Sequence, residues 1–223
     1  MTDKFRKILG NKRAYIFDLD GTIADTERIH WEAHNQLLKK KFGIEVDIEH
    51  ILTYLGKPET IFIKEIERDY NINIGGDNGK GYEKYFKERN KIAEKLILSK
   101  SKPFPFMQEV LADTFGISIF LVSAQNRHLI LKMLKAYGLL GKFSDTNTFI
   151  VEGNKTKPYY YDYIFTNILK NAKPEDIILF EDVNKYLKEG KNRGSVTIGI
   201  DNGFSKETLE ADFVIDAKNN IMP

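Results

Sequence analysis

The 223 residues carry 34 Lys and Arg against 32 Asp and Glu, a formal charge of +2, with 42% hydrophobic and 30% charged residues. That length and apolar content can bury a sizeable core, and the near-balance of charge gives no basic stripe of the kind nucleic acid requires. The absence of cysteine excludes disulfides, thiolate catalysis and cysteine-ligated zinc.

The first segment, MTDKFRKILGNKR, is basic but lacks the apolar stretch of a secretory signal. The longest near-apolar run, ISIFLV at 117–122, is far short of the ~18 residues a spanning helix needs. A soluble cytoplasmic protein is expected, with no membrane partner. Next comes a short apolar run, AYIF at 14–17, which reads as a buried strand. It ends abruptly in Asp18 and Asp20, followed by Gly21 and Thr22.

From about Thr26 to Leu98 the pattern is helical. TERIHWEAHNQLLKKKF offers Thr26 as a cap and an apolar face of Ile29, Ala33, Leu37 and Leu38. PETIFIKEIERDY at 58–70 has Pro58 at a plausible first helical position, and GYEKYFKERNKIAEKLIL at 81–98 gives a third amphipathic helix. The glycine-rich NINIGGDNGKG reads as a turn, since it lacks the gap and the Ser/Thr of a phosphate-binding loop. His30 and His34 lie one helical turn apart, but HWEAH is not the H-E-x-x-H of zinc proteases. SKPFPF at 101–106, with two prolines, reads as a stiff hinge.

Beyond it, strands are expected at 117–122, 148–151, 177–180 and 196–200, with helices at 127–140, 161–172 and 183–194 between them. Strand–helix alternation indicates an α/β fold, an open parallel Rossmann-like sheet with helices on both faces. The helical stretch then forms an insert after the first strand. This gives a core of residues 1–25 and 99–223 and a helical domain of 26–98.

In such a sheet, ligands bind beyond the carboxyl ends of the strands. Asp18 and Asp20 follow the first strand and Ser123 the second. Lys157 comes ahead of a helix past the third, and Glu181 and Asp182 follow the fourth. Two like charges 4 Å apart repel by about 4 kcal/mol at an effective dielectric of 20, so carboxylates gathered in one cleft need a cation. Oxygen ligands with no nearby His or Cys point to Mg²⁺. Lys157 suits a phosphate oxygen, and Ser123 with the amide of Ala124 can donate to the same anion. Each residue alone has a plainer reading. Asp-Gly is a common turn, Ser123 a structural hydroxyl, Lys157 a solvated lysine, and Glu181–Asp182 a helix cap. Their recurrence at four strand ends favours a phosphoryl site. An Asp-x-Asp-Gly calcium loop fails, because residue 29 is Ile where an acid is required.

DLDGT, Ser123 in LVSAQN, Lys157 in KTKPYYYD and Glu181–Asp182 in LFEDVNKYLKEGKNRG resemble the four motifs of the haloacid-dehalogenase-like phosphohydrolases. FDLDGTIADTERIHWEAH is similar to the subgroup of β-phosphoglucomutases and phosphoglycolate phosphatases, which carry a helical cap after the first strand. The resemblance implies Asp18 as the nucleophile and Asp20 as the general acid and base, its backbone carbonyl on the metal. It also implies phosphate contacts from Ser123, Ala124, Lys157, Gly21 and Thr22, and Mg²⁺ held by Asp18, Asp20, Glu181 and Asp182. Asp20 favours C–O–P over C–Cl or C–P chemistry, since the dehalogenases lack it and the phosphonatases have alanine there.

The chain departs from that pattern at Tyr186, where glycine is usual, at Glu189, where a small residue is usual, and at Tyr161, where an acid is usual. In LGKPET the Ser-Arg pair of the mutases is replaced by Pro58-Glu59, and Lys57 reads as a solvated surface lysine, as a weak contact for an anionic substrate on closure, or as a specificity lysine. The expectation is a monomeric Mg²⁺-dependent phosphatase, its cap closing over a small phosphorylated metabolite. A hexose-phosphate mutase and a catalytically silent phospho-ligand binder are the alternatives.

Overall fold

The computed structural model describes residues 3–47, 50–51, 59–76, 79–204 and 208–218, with the backbone alone at 3–4 and 59. The chain divides into two compact units, one of Met1–Asp25, Lys102–Gly203 and Glu207–Pro223, the other of Thr26–Ser101 with Phe204–Lys206.

The first unit is built on six parallel strands: β1 (Ala14–Phe17), β2 (Ser118–Ser123), β3 (Thr148–Ile150), β4 (Ile177–Glu181), β5 (Val196–Asp201) and β6 (Phe213–Asp216). Their order is β3-β2-β1-β4-β5-β6. The chain runs outward from β1 in one direction and outward from β4 in the other, so the switch point lies between β1 and β4.

In chain order the unit holds α1 (Asp3–Leu9) and, beyond the insert, α5 (Pro105–Ala112), α6 (Arg127–Ala136), α7 (Lys157–Tyr163) and α8 (Asn184–Asn192). Helices α7 and α8 pack on one face of the sheet. The insert holds α2 (Glu27–Phe42), α3 (Glu59–Tyr70) and α4 (Lys80–Lys100). Alternate residues on the central strands face opposite layers. Ala14, Ile16, Phe120, Val122, Ile177 and Leu179 join Tyr161 and Ile164 in one buried cluster. Phe17 and Phe180 stack at 4.7 Å on the other face. All four residues of β1 are buried, as a central parallel strand requires.

Several elements differ from the sequence expectations. SKPFPF, expected as a stiff hinge, also holds the start of a helix. Pro105 opens α5, and the segment is pinned by the Phe104 amide on the Ile23 carbonyl (2.9 Å) and a bridge between Ala24 and Pro103. α6 stops at Ala136, four residues early, because Gly138 takes a left-handed φ of 71°. The helix expected at 161–172 begins at Lys157, where Pro158 suits the first turn, and passes into a π-turn at Ile164–Ile168. β6 and α1 were not expected. β6 is an edge strand of four residues, and only one of them, Ile215, is buried.

In the second unit, α2, α3 and α4 bury Leu37, Leu38, Phe62, Ile63, Ile66 and Tyr85 in one cluster that also takes in Phe204. Thr26 precedes α2 without capping it through its side chain. The glycine-rich turn is held by Glu67, whose Oε1 accepts from the amides of Ile74 (2.5 Å) and Gly75 (2.8 Å). Lys57 and Pro58 lie outside the described residues.

Candidate active site

The register of the sheet brings the acids together. Phe17 pairs with Phe180, so Asp18 and Glu181 emerge side by side from β1 and β4, at the switch point. Phe17 also pairs with Leu121, which places Ser123 level with Leu19 on the neighbouring strand. The oxygens of Asp18, Glu181 and Asp182 lie within 4.8 Å of one another. Asp18 and Glu181 are buried and Asp182 half-buried.

Lys157 is the first residue of α7, whose cap Thr156 accepts the Tyr159 amide through its side chain. The short first turn projects the ammonium inward until it is 5% exposed. Its Nζ lies 2.8 Å from Asp18 Oδ1 and donates a short hydrogen bond to Glu181 Oε1. The other Glu181 oxygen, Oε2, accepts from the amides of Asp182 (2.9 Å) and Val183 (3.2 Å), just ahead of α8. Glu181 stands in the carboxylate group and accepts two amides of the turn, but the cap position of α8 is Val183, so neither Glu181 nor Asp182 caps the helix.

Asp182 is fixed from three sides. Thr22 Oγ1 donates to Oδ1 (3.3 Å), Asn202 Nδ2 donates to Oδ2 (3.0 Å) and to the Gly21 carbonyl (3.1 Å), and Gly21 itself lies against the carboxylate. Gly21 has φ 73°, and a Cβ there would come within 2.1 Å of Asp182 Oδ2. Only glycine fits both the conformation and the approach. Gly21 and Thr22, expected at the phosphate, are here seen shaping Asp182. Asn202 was not singled out from the sequence, although it directly follows the fifth strand; that position was its one available signal.

Ser123 is fully buried at the end of β2, and its Oγ accepts the Gln125 amide (3.0 Å) while keeping its own proton to donate. Ala124, next to it, is exposed. Asp20 is half-buried in a turn closed by the Gly21 amide on the Ala24 carbonyl (2.9 Å). Its charge reaches Asp18.

Burial pushes the Asp18 carboxyl well above the usual carboxylate range; Lys157 opposes this, and Glu181 and Asp20 add to it. Burial alone would lower Lys157, but Asp18 and Glu181 outweigh it and hold the ammonium protonated. Burial keeps the Tyr161 phenol neutral, with Glu181 reinforcing it. The place where an acid was expected thus carries no charge. With Asp18 ionised, Asp18, Glu181 and Asp182 outnumber the one ammonium, Asp20 adds negative charge nearby, and every donor is oxygen, a set that a divalent cation complements. The residues present therefore fit a hard dication.

An open parallel sheet with carboxylates, an ammonium and a hydroxyl at the ends of its central strands defines a class of α/β enzymes that hold an anion at the switch point. The chain belongs to the haloacid dehalogenase-like hydrolase family, whose description matches residues 15–200. It is 23% identical over 190 residues to a phosphorylated carbohydrates phosphatase of Thermotoga maritima, covering 81% of each chain. It is 20% identical over 185 residues to the fructose-1-phosphate phosphatase YqaB of Escherichia coli, covering 83% of this chain and 94% of that one. A crystal structure of CbbY from Rhodobacter sphaeroides in complex with phosphate superimposes with a TM-score of 0.70 at 19% identity, over 92% of this chain and 94% of that one. No helix among the described residues is long and apolar enough to cross a membrane.

Proposed function

We propose that the chain is a Mg²⁺-dependent phosphatase of a small phosphorylated metabolite, working through an aspartyl-phosphate, with residues 26–98 as its cap domain. The observation that carries this reading is the ammonium of Lys157 set between Asp18 and Glu181, with Asp182 beside them. The names of the two phosphatase relatives support it, as does the phosphate in the CbbY complex.

In this reading Asp18 attacks phosphorus. An oxygen–phosphorus bond forms to Asp18 as the ester bond to the leaving oxygen breaks, and Asp20 supplies that oxygen with its proton. Asp20 then takes a proton from water, whose oxygen attacks the same phosphorus and returns Asp18 as a free carboxylate. Lys157 keeps Asp18 oriented and offsets charge on the phosphoryl group, and Ser123 and the Ala124 amide donate to its oxygens. Asp18, Glu181 and Asp182, with the carbonyl of Asp20, would hold Mg²⁺, which when bound neutralises charge on the phosphoryl oxygens.

Turnover of p-nitrophenyl phosphate with and without Mg²⁺ tests the reading. Metal-dependent release of phosphate is expected, and activity persisting in excess chelator would exclude it. A panel of phosphorylated metabolites read by phosphate release then identifies the substrate. Isomerisation of β-glucose 1-phosphate without phosphate release would favour the mutase instead.

A further inference from the structure

Tyr186 stands in the first turn of α8, at the position where the family pattern has glycine. The buried residues of α8 are Leu187 and Gly190. The Tyr186 ring is half-buried against the cluster under α7, and its centre lies 4.5 Å from Lys157 Nζ. An ammonium has three N–H donors. Asp18 and Glu181 engage two directions around Lys157, and the ring face covers another. A cation within about 6 Å of a ring face is attracted to it, more strongly where water is excluded, and Lys157 is 5% exposed.

We propose that Tyr186 is a positioning residue for phosphoryl transfer: its ring face seats the Lys157 ammonium against Asp18 and Glu181, and it acts only through that ammonium. This rests on the phosphatase reading, in which Lys157 steadies the nucleophile. A glycine at 186 would leave the same side of the ammonium open to water. Lys185 Nζ lies 5.6 Å from the same ring and supplies a control.

The experiment is steady-state hydrolysis of p-nitrophenyl phosphate by Tyr186→Phe, Tyr186→Leu, Lys185→Ala and Lys157→Met. It is extended by incorporating mono-, di- and trifluorinated phenylalanine at 186. Fluorine weakens the negative face of the ring while nearly preserving its shape. Tyr186→Phe should stay close to wild type. Tyr186→Leu should lose about thirtyfold in kcat, the size of one desolvated cation–π contact, with KM changed much less. The fluorinated series should fall stepwise between them, which a packing role would not produce, and this series holds even if the leucine variant folds poorly. Lys185→Ala should match wild type. A flat fluorinated series, or Lys185→Ala behaving like Tyr186→Leu, would overturn the proposal while an inactive Lys157→Met left the phosphatase reading standing. Full turnover by Lys157→Met would remove that reading, and the proposal with it.

Discussion

Asp18 and Asp20 sit two residues apart and carry different tasks in the proposed reaction, so their amide variants should differ in kind. Asp18→Asn removes the attacking oxygen's charge, and turnover should fall to background with every substrate. Normal turnover in that variant would refute the nucleophile. Asp20→Asn removes only proton transfer, worth about 10²–10⁴-fold. Its loss should be largest with alkyl phosphates, whose leaving oxygens need the proton. It should be smallest with p-nitrophenyl phosphate, whose leaving group departs readily as the anion. Equal losses on both substrates would argue against Asp20 as the acid. At this scale the sequence was legible where chemistry is written in residue type, as at Asp18, Lys157 and Glu181. Asn202 and Tyr186 were not legible as site residues. An asparagine gains meaning only when Asp182 and Gly21 are found at the other ends of its hydrogen bonds, and a tyrosine only when an ammonium is found over its face.

At the scale of elements, α2 and α4 are joined in the interior of the second unit by a polar pair. His34, 1% exposed on α2, has its Nδ1 3.0 Å from the hydroxyl of Tyr85 on α4. Burial holds the His34 imidazole well below its ordinary 6.5, and Arg89 and His30 push it the same way. Below pH 6.5 the unfolded chain takes up a proton that the folded unit refuses, so this contribution to stability is lost as pH falls. The slope reaches about 1.4 kcal/mol per pH unit. Between pH 7.5 and 5.5, wild type should therefore lose about 1 kcal/mol more unfolding free energy in urea than His34→Gln, which keeps an acceptor for Tyr85 but does not titrate. Equal losses would show that His34 is not the group responsible. Sequence periodicity anticipated these helices because each has a broad apolar face that must be buried. It missed α5, where two prolines suggested a stiff connection although one of them sits at a first-turn position that tolerates it. It also missed β6, because a four-residue edge strand with one buried side chain leaves almost no periodic signal.

For the molecule as a whole, the proposed reading makes the carboxylates at the switch point a site where a bound cation would add to stability. A raised Asp18 pKa means that the metal-free fold holds a proton which the unfolded chain releases. That contribution to stability is present in acid and is lost as pH rises above the ordinary carboxylate range. A divalent cation needs the carboxylate deprotonated, so proton and metal compete for the same oxygens. Mg²⁺ should therefore stabilise the protein more at pH 8 than at pH 5. At a concentration a hundred times its dissociation constant, a ligand bound only by the folded state adds about 2.7 kcal/mol. For a chain of this size that corresponds to a rise in Tm of about 5–10 °C, reversed by EDTA. Asp182→Asn keeps one carbonyl oxygen for Asn202 to donate to, turns its amide NH₂ toward Thr22 Oγ1, which can accept it, and removes one charge. Its metal-free Tm should equal or exceed that of wild type, because one repulsion is gone, while its rise with Mg²⁺ should shrink sharply. Differential scanning calorimetry at both pH values, with and without Mg²⁺, reads all of these at once. A rise at pH 5 as large as that at pH 8, or a full rise in Asp182→Asn, would place the cation somewhere other than among Asp18, Glu181 and Asp182.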